Sequence, residues 1–380
     1  MYTRQEQTKK SIFKTYLIYF ISMSLFCVMR IAVAEGFLSG LSANWQDVIG
    51  TLIIQGLIMF ALPMVLYCTF IKVKPKALFK TCNFTKVNTA TVFISLGLGV
   101  CMFFITIAVS AVFNGIISFF GYQVPLSFGV SEPIDTGIGK FFLDVLLIAV
   151  LPAIGEEFLH RGVVLQGTKH EGFGKAIVMS SVLFGLMHLN ISQVSYAIVL
   201  GLIMGFASVV AKNIWVPIIM HFTNNFIAVY LDYAAVNGWF GGGFYSTLAE
   251  LSKSSMVVVF VVCFVALLAI ACLMIYLILQ LFKQNILRKV NRAIDDVYAD
   301  NGERMTDDPI VIQKSRMLQQ MLEENTLLNL NYEAMKSPIE VVMPKQKVKY
   351  KTSLKDHIFL IASIILGGLV TLFTLIWGFI

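Results

Sequence analysis

Residues 141–166 read FFLDVLLIAVLPAIGEEFLHRGVVLQ, an apolar run that two adjacent glutamates, a histidine and an arginine interrupt beyond its centre. An apolar stretch of this length crosses the hydrocarbon core of a bilayer, about 30 Å thick, as a single helix. Ionisable side chains at that depth are costly unless they are paired or hydrated, so they mark a functional site by default. The run therefore predicts a membrane-spanning helix and a polar site within the membrane.

The rest of the chain has the same membrane character. Its 380 residues are 57% hydrophobic and 13% charged, with a mean hydropathy of +0.79, whereas a soluble domain has about 45–50% apolar and about 25% charged residues. The apolar runs are continuous and do not alternate, which disfavours an outer-membrane barrel. We therefore expect an all-α polytopic membrane protein with an eight-helix transmembrane core and a ninth, C-terminal transmembrane helix, at about 15–36, 49–71, 88–118, 141–166, 175–191, 194–211, 214–235, 256–282 and 357–380.

The order of these runs divides the chain into four regions. Residues 1–135 hold transmembrane helices one to three, 136–282 hold the core helices four to eight, 283–356 form a polar segment, and 357–380 form the last helix. An apolar stripe at helical spacing predicts a short amphipathic helix in the polar segment, formed by Ile312, Met317, Leu318, Met321, Leu322 and Leu328.

Lys and Arg collect in the loops of one side, and basic loops resist translocation. We therefore expect a protein of the bacterial plasma membrane with its N-terminus and segment 283–356 in the cytoplasm. The net charge of +7 then reflects topology, so the bilayer is an expected partner and nucleic acid is not. The six cysteines lie mostly in apolar runs and form no Cys-x-x-Cys pair, which predicts neither a disulfide framework nor a thiolate metal site. The basic residues of this side are Lys72, Lys74, Lys76, Lys80, Lys86, Lys169, Lys175, Lys212 and the cluster 283–292.

Helical spacing separates the two adjacent glutamates of the fourth run. Residues four apart lie on one face of a helix, whereas neighbours diverge by about 100°. Glu157 therefore aligns with Arg161, which predicts a structural ion pair within the helix. Glu156 shares its face with His160 instead and is expected to be the free carboxylate.

Two later runs carry the remaining polar groups. Phe184 lies one turn before His188, and His221 lies one turn before Asn225. An imidazole and a carboxamide on one face are donors that can stabilise a developing oxyanion. Two glutamates, two histidines and an amide on three nearby helices match what hydrolysis by an activated water requires. Glu156 and His221 are expected in the cytoplasmic halves of their helices, whereas His188 lies about 20 Å along its own helix from Lys175 at 1.5 Å per residue.

These motifs resemble the CPBP family of intramembrane endopeptidases, also called Abi or CAAX protease-like. The resemblance rests on Glu-Glu-x-x-x-Arg at 156–161, Phe-x-x-x-His at 184–188 and His-x-x-x-Asn at 221–225, in this order. The family includes type II CAAX prenyl endopeptidases and proteins linked to bacteriocin processing and self-immunity. The resemblance implies that Glu156 and His188 activate water while His221 and Asn225 stabilise the oxyanion. His160 departs from the aromatic residue of the family pattern. A packing role is expected for it, and tuning of the Glu156 carboxylate, with which it shares a face, is the alternative.

The residues leave other chemistries open. Glu156, His188 and His221 are one carboxylate and two imidazoles, a set that zinc binds, although a mechanism without a metal or other cofactor is favoured. A non-catalytic self-immunity protein or membrane scaffold of the same fold is a further alternative, as is a transporter. The expected partner is a peptide or membrane-protein substrate; the sequence predicts neither its identity nor the oligomeric state. Gly201 and Gly205 have the spacing of close helix packing.

Overall fold

A computed structural model of the chain describes residues 4–122, 137–252, 256–295, 308–309, 311–313, 315–316, 320 and 352–377. Every regular element in these ranges is a helix. In α5, π-helical turns at Val145–Val150 and Phe158–Leu165 interrupt the α-helical pattern. The main helices are α1 Arg4–Ala34, α2 Ala43–Ile71, α3 Pro75–Thr81, α4 Thr89–Phe119, α5 Ile138–Glu171, α6 Phe173–Leu186, α7 Ile191–Ala211, α8 Trp215–Asn237, α9 Phe244–Ser252, α10 Met256–Asp295 and α11 Ile358–Trp377.

The predicted all-α polytopic membrane fold is confirmed. Among the described helices, seven are long and apolar enough to cross a membrane, and these are α1, α2, α4, α5, α7, α10 and α11. The other two predicted spans correspond to α6, which is apolar but short, and to α8, which carries His221 and several asparagines. All nine predicted apolar runs thus form helices in the described part of the chain, and seven of these helices are both long enough and apolar enough to span a membrane.

The boundary predicted for the fifth run is wrong. Instead of extending over 175–191, α6 ends at Leu186. Leu189 then adopts a left-handed conformation with φ +52°, and Asn190 caps α7 by accepting a hydrogen bond from the Ser192 amide at 2.9 Å. His188 therefore lies in a tight turn between two helices and not on the face of one.

The polar segment is described only in part. Its first residues continue α10 as far as Asp295, beyond the predicted end at 282. Of the predicted amphipathic stripe, Ile312 falls in a described helical stretch. The other members lie outside the described residues, namely Met317, Leu318, Met321, Leu322 and Leu328.

Close helix packing places α7 directly against α6. A side chain at Gly201 would come within 2.9 Å of Ser181, and one at Gly205 within 3.1 Å of Ile177. The packing role predicted for these two glycines is confirmed. Backbones that approach this closely let side chains of one helix reach the carbonyls of the next, which matters for the buried arginine described below.

The last helix, α11, packs against α1 and against the turn that carries His188. Its start is fixed where His357 Nε2 lies 2.6 Å from Glu171 Oε1 at the end of α5. Near its other end, Thr374 Oγ1 accepts a hydrogen bond from the Ile191 amide at 3.1 Å. The C-terminal helix is therefore joined at both ends to the elements that surround the polar site.

Candidate active site

A cavity of about 870 Å³ lies among α1, α4, α5, α7, α8 and α9 and the turn between α6 and α7. Its lining includes the four residues for which the sequence analysis predicts catalytic roles, Glu156, His188, His221 and Asn225. A second cavity, of about 340 Å³, is lined by Glu156 and His188 as well. The structure thus brings together groups that the sequence places on three separate runs.

The two adjacent glutamates occupy different environments. Glu157 and Arg161 are both fully buried, and Arg161 Nη1 lies 2.7 Å from Glu157 Oε1. The arginine also donates from Nη2 to the Gly201 carbonyl oxygen at 3.1 Å, and its guanidinium lies 4.5 Å from the centroid of the Phe184 ring. The predicted ion pair is present, and Arg161 joins α5 to both α6 and α7.

Glu156 points in another direction and is half-buried at the cavity wall. Its Oε1 accepts a hydrogen bond from Gln55 Nε2 of α2 at 2.9 Å. A side chain at Gly155 would come within 2.7 Å of the Gln55 carbonyl oxygen, so the glycine permits the approach of α2 that makes this bond. The sequence analysis did not identify Gln55; a lone amide in the apolar run 49–71 is the only sequence signal.

His221 is held by the glutamate of the buried ion pair. Its Nδ1 lies 3.0 Å from Glu157 Oε1, so Glu157 orients this ring in addition to pairing with Arg161. The expected, mainly structural role of Glu157 is therefore incomplete. Because Nδ1 is bound to a carboxylate, Nε2 is the nitrogen that remains for a group in the cavity.

Asn225 is oriented by a backbone carbonyl of α5. Its Nδ2 donates to the Ile148 carbonyl oxygen at 3.0 Å, and its Oδ1 accepts from Asn224 Nδ2 at 3.0 Å. Ile148 lies in the π-helical turn Val145–Val150, and Pro152, four residues further on, has no N–H that could bond this carbonyl. One amide hydrogen of Asn225 is thus committed to the protein, and its second remains for a ligand.

His188 is half-buried, and its backbone tether comes from the preceding helix. The ring Nδ1 lies 2.9 Å from the Phe184 carbonyl oxygen, and the two rings meet edge to face with centroids 5.0 Å apart. A carbonyl only accepts, so Nδ1 carries the hydrogen and Nε2 presents its lone pair. The Phe184 ring thus forms an aromatic wall beside His188, although His188 extends from a turn and not from a helix.

His160 is fully buried and is absent from the lining of the main cavity. Its Nδ1 lies 2.7 Å from the backbone oxygen of Glu156 and does not bond that residue's carboxylate. The ring packs between Tyr19 and Phe184, with centroids 5.6 and 5.1 Å away. These contacts correspond to the packing role that was expected for His160.

The zinc alternative requires Glu156, His188 and His221 to converge on one ion. Within the part of the chain that the structure describes, no three His, Cys, Asp or Glu side chains are arranged to ligate a metal. Each of the two rings uses Nδ1 for a protein partner, which leaves Nε2 as the nitrogen that faces a ligand.

Tyr245 of α9 lines the outer part of the same cavity. Burial, with a smaller contribution from the negative charge of Asp232, raises the pKa of Tyr245 to about 12. The phenol is therefore protonated at neutral pH and can donate a hydrogen bond to a group in the cavity.

Comparison with known proteins identifies the central part of the chain. Residues 138–227 match the family model described as Rce1-like, type II CAAX prenyl endopeptidase. The match covers the three motifs and confirms the resemblance to the CAAX protease family over this segment. It supports an integral membrane hydrolase of the intramembrane protease class. No curated protein and no solved structure matches the chain.

Proposed function

We propose that the protein is an intramembrane endopeptidase that hydrolyses a peptide bond of a membrane-associated protein or peptide without a metal. One observation carries the proposal: Glu156, His188, His221 and Asn225 line a single cavity. Glu156, His188 and His221 each have one polar atom bound to the protein and another left for a substrate or water, and Asn225 keeps its second amide hydrogen. Such tethering fixes reactive groups in place before the substrate arrives, which is how enzymes lower the cost of reorganisation.

In this proposal Glu156 is the general base. Its carboxylate takes one proton from a water whose oxygen attacks the carbonyl carbon of the scissile bond. The second hydrogen stays on that oxygen and donates a hydrogen bond to His188 Nε2, which orients the water. Collapse of the tetrahedral intermediate breaks the C–N bond, and Glu156 passes its proton to the leaving nitrogen. The carboxylate returns to its starting state, as general acid–base catalysis requires.

His221 and Asn225 are the proposed oxyanion donors. Asn225 offers its second amide hydrogen. His221 donates from Nε2 when the ring carries hydrogens on both nitrogens, and the Glu157 carboxylate, 3.0 Å from Nδ1, is the counter-ion for that form. A single oxyanion-hole donor contributes about 10²–10³ in rate.

Comparison of active and inactive protein in the same membranes tests this function. Membranes that contain the wild-type protein, Glu156→Gln or Lys175→Ala are incubated, and newly formed peptide termini are identified by mass spectrometry. The exposed Lys175 serves as the control because it lies outside the cavity lining. We expect new termini with the wild type and the control, and none with Glu156→Gln.

Two results would contradict the proposal. Full turnover by Glu156→Gln would show that Glu156 is not the general base. Absence of cleavage by the wild type in every membrane tested would favour a non-catalytic scaffold. The metal-free mechanism is checked separately with a chelator. We expect unchanged cleavage in its presence, whereas a requirement for stoichiometric zinc would refute this part.

A further inference from the structure

The contacts of the described residues define the two ends of the helix bundle without reference to a membrane. At one end, Tyr16 donates to Glu171 Oε2 at 3.2 Å, and the Ile214 amide donates to the Asn83 carbonyl at 3.2 Å. The first bond joins the N-terminal half of α1 to the end of α5, and the second joins the loops before α4 and α8. These loops also pack on α5, because a side chain at Gly162 would come within 3.1 Å of Cys82 and 3.2 Å of Ile214. We call this the basic end, because its loops carry Lys72, Lys74, Lys76, Lys80, Lys86, Lys169, Lys175 and Lys212.

The opposite end has a different charge. In its described helix ends and loops the cations are Arg30 of α1 and Lys140 of α5. Lys140 is neutralised by Asp144, which it contacts directly, and by Asp47 at 3.4 Å. By the positive-inside rule, the basic end faces the cytoplasm and the opposite end faces the extracytoplasmic side of the membrane.

The large cavity extends from the four candidate catalytic residues towards the opposite end. Along α4 its lining proceeds from Phe103 to Asn114, away from the start of the helix at Thr89. Along α8 it proceeds from His221 to Asp232, away from the basic loop that contains Lys212. On α7 the lining begins at Ser192, at the opposite end, and extends inward as far as Met204. Other lining residues near the opposite end are Arg30, Ile148, Pro152, Asn190, Gln193, Tyr196 and Tyr245.

An apolar cluster closes the bundle between the candidate site and the basic end. Phe158, Val163, Leu78, Ile214 and Ile218 are at most 5% exposed and pack into this cluster. The buried Phe158 and Val163 belong to the part of α5 that follows Glu156, nearer the basic end. Close-packed apolar side chains leave few voids large enough for water, so they separate the cavity from the cytoplasmic loops.

Two polar groups of the lining have no hydrogen-bond partner among the described residues, and these are Asn114 Oδ1 and Ser192 Oγ. Buried polar atoms that lack partners destabilise the protein, because they have lost their hydrogen bonds to water. The amide and carbonyl groups of an extended peptide, or water, would satisfy them. These groups lie between the candidate catalytic residues and the outer end, on the path that such a peptide would follow.

From this geometry we propose that water and peptide substrate reach Glu156 from the extracytoplasmic face. The substrates are then extended polypeptide segments presented outside the cytoplasm, such as the outer juxtamembrane part of a membrane protein, and not cytoplasmic C-terminal tails. This substrate class rests on the proposed endopeptidase function, whereas the access route rests on the structure of the cavity and the distribution of charge.

Cysteine accessibility tests the access route without any need for turnover. The six native cysteines are replaced, and single cysteines are introduced as Asn114→Cys and Ser192→Cys in the cavity and as Lys76→Cys at the basic end. Intact spheroplasts and permeabilised membranes are treated with a negatively charged, membrane-impermeant maleimide. We expect the two cavity variants to be labelled in intact spheroplasts and Lys76→Cys to be labelled only after permeabilisation.

Labelling of the cavity cysteines only after permeabilisation, or in neither preparation, would overturn the proposal. Elution of each variant as a single species in gel filtration checks its folding, and two cavity positions guard against the loss of one variant. Each cavity cysteine is also placed in a Glu156→Gln background, where labelling is expected to be unchanged. Labelling from outside without any hydrolysis would refute the endopeptidase function alone, and hydrolysis with labelling only from inside would refute the access route alone.

Discussion

Replacement of Arg161 by methionine is expected to destabilise the protein strongly. Arg161 and Glu157 are fully buried, and the arginine contacts three helices through the carboxylate at 2.7 Å, the Gly201 carbonyl at 3.1 Å and the Phe184 ring at 4.5 Å. Methionine fills similar volume without a charge, so Arg161→Met leaves the Glu157 carboxylate buried with only the His221 ring as partner. Breaking a buried ion pair in this way costs about 3–5 kcal/mol.

Equilibrium unfolding in mixed micelles of increasing denaturing-detergent content measures this cost. The matched control is Lys175→Met, which removes a cation from an ion pair at 2.7 Å that is partly exposed on the lysine side. Lys175 itself is exposed, and after its removal Glu171 keeps His357 Nε2 at 2.6 Å and the Tyr16 hydroxyl at 3.2 Å as partners. The control is therefore expected to unfold within about 1 kcal/mol of the wild type. The contrast between the two variants separates burial from the mere presence of an ion pair.

The double variant Glu157→Gln/Arg161→Met tests the physical reason. It removes both charges, so no isolated carboxylate remains buried, and it is expected to be more stable than Arg161→Met alone. Equal or lower stability of the double variant would refute the reasoning that a stranded carboxylate causes the loss. A change below about 1 kcal/mol for Arg161→Met itself would refute the assignment of this pair as the structural link between α5, α6 and α7.

Three further predictions concern separate parts of the molecule. Asn225→Ala is expected to reduce cleavage by about 10²–10³-fold while leaving it measurable in the terminus-mapping assay; a loss as complete as that of Glu156→Gln would contradict a role as one oxyanion donor. Thr374→Val removes the acceptor of the Ile191 amide beside the turn that holds His188. A hydrogen bond of this kind contributes about 1 kcal/mol, so kcat is expected to fall about fivefold, whereas Thr374→Ser should retain the bond and the wild-type kcat. Burial raises the pKa of Cys82 in the α3–α4 loop to about 12, so about one thiol in 10⁴ is ionised at pH 8. Because the thiolate is the reactive form, alkylation of Cys82 is expected to be slow in the folded protein and rapid only after denaturation.

The parts of the site that follow from helical spacing could be predicted from the sequence. Glu157 and Arg161 pair because residues four apart on a helix are neighbours whatever surrounds them, and the same geometry turns Glu156 towards the cavity. The turn at His188 could not be predicted in this way. Neither glycine nor proline stands between Leu186 and Ile191, and the left-handed backbone falls on Leu189, a residue that ordinarily disfavours it. The unexpected depth of His188 along a continuous helix was the one sequence signal that the boundary was wrong.

The tethers of the candidate catalytic groups were beyond sequence analysis because most of them depend on tertiary contacts. Gln55 reaches Glu156 only because Gly155 admits α2, and Asn225 reaches the Ile148 carbonyl where Pro152 supplies no amide. Periodicity within one run carries no information on such pairs.

The same dependence on tertiary contacts extends beyond the segment that matches the family model. Residues 138–227 contain all four candidate catalytic side chains, yet Gln55 of α2 holds one of them and Thr374 of α11 bonds the backbone beside another. The turn at His188 contains a left-handed residue, Leu189. The hydrogen bond from Ile191 to Thr374, which lies outside the matched segment, restricts this turn. The matched segment therefore supplies the reactive groups, and the flanking helices supply part of the geometry that would allow them to act together. For this reason a variant in α11, far along the chain from Glu156, is expected to change catalysis without touching the substrate.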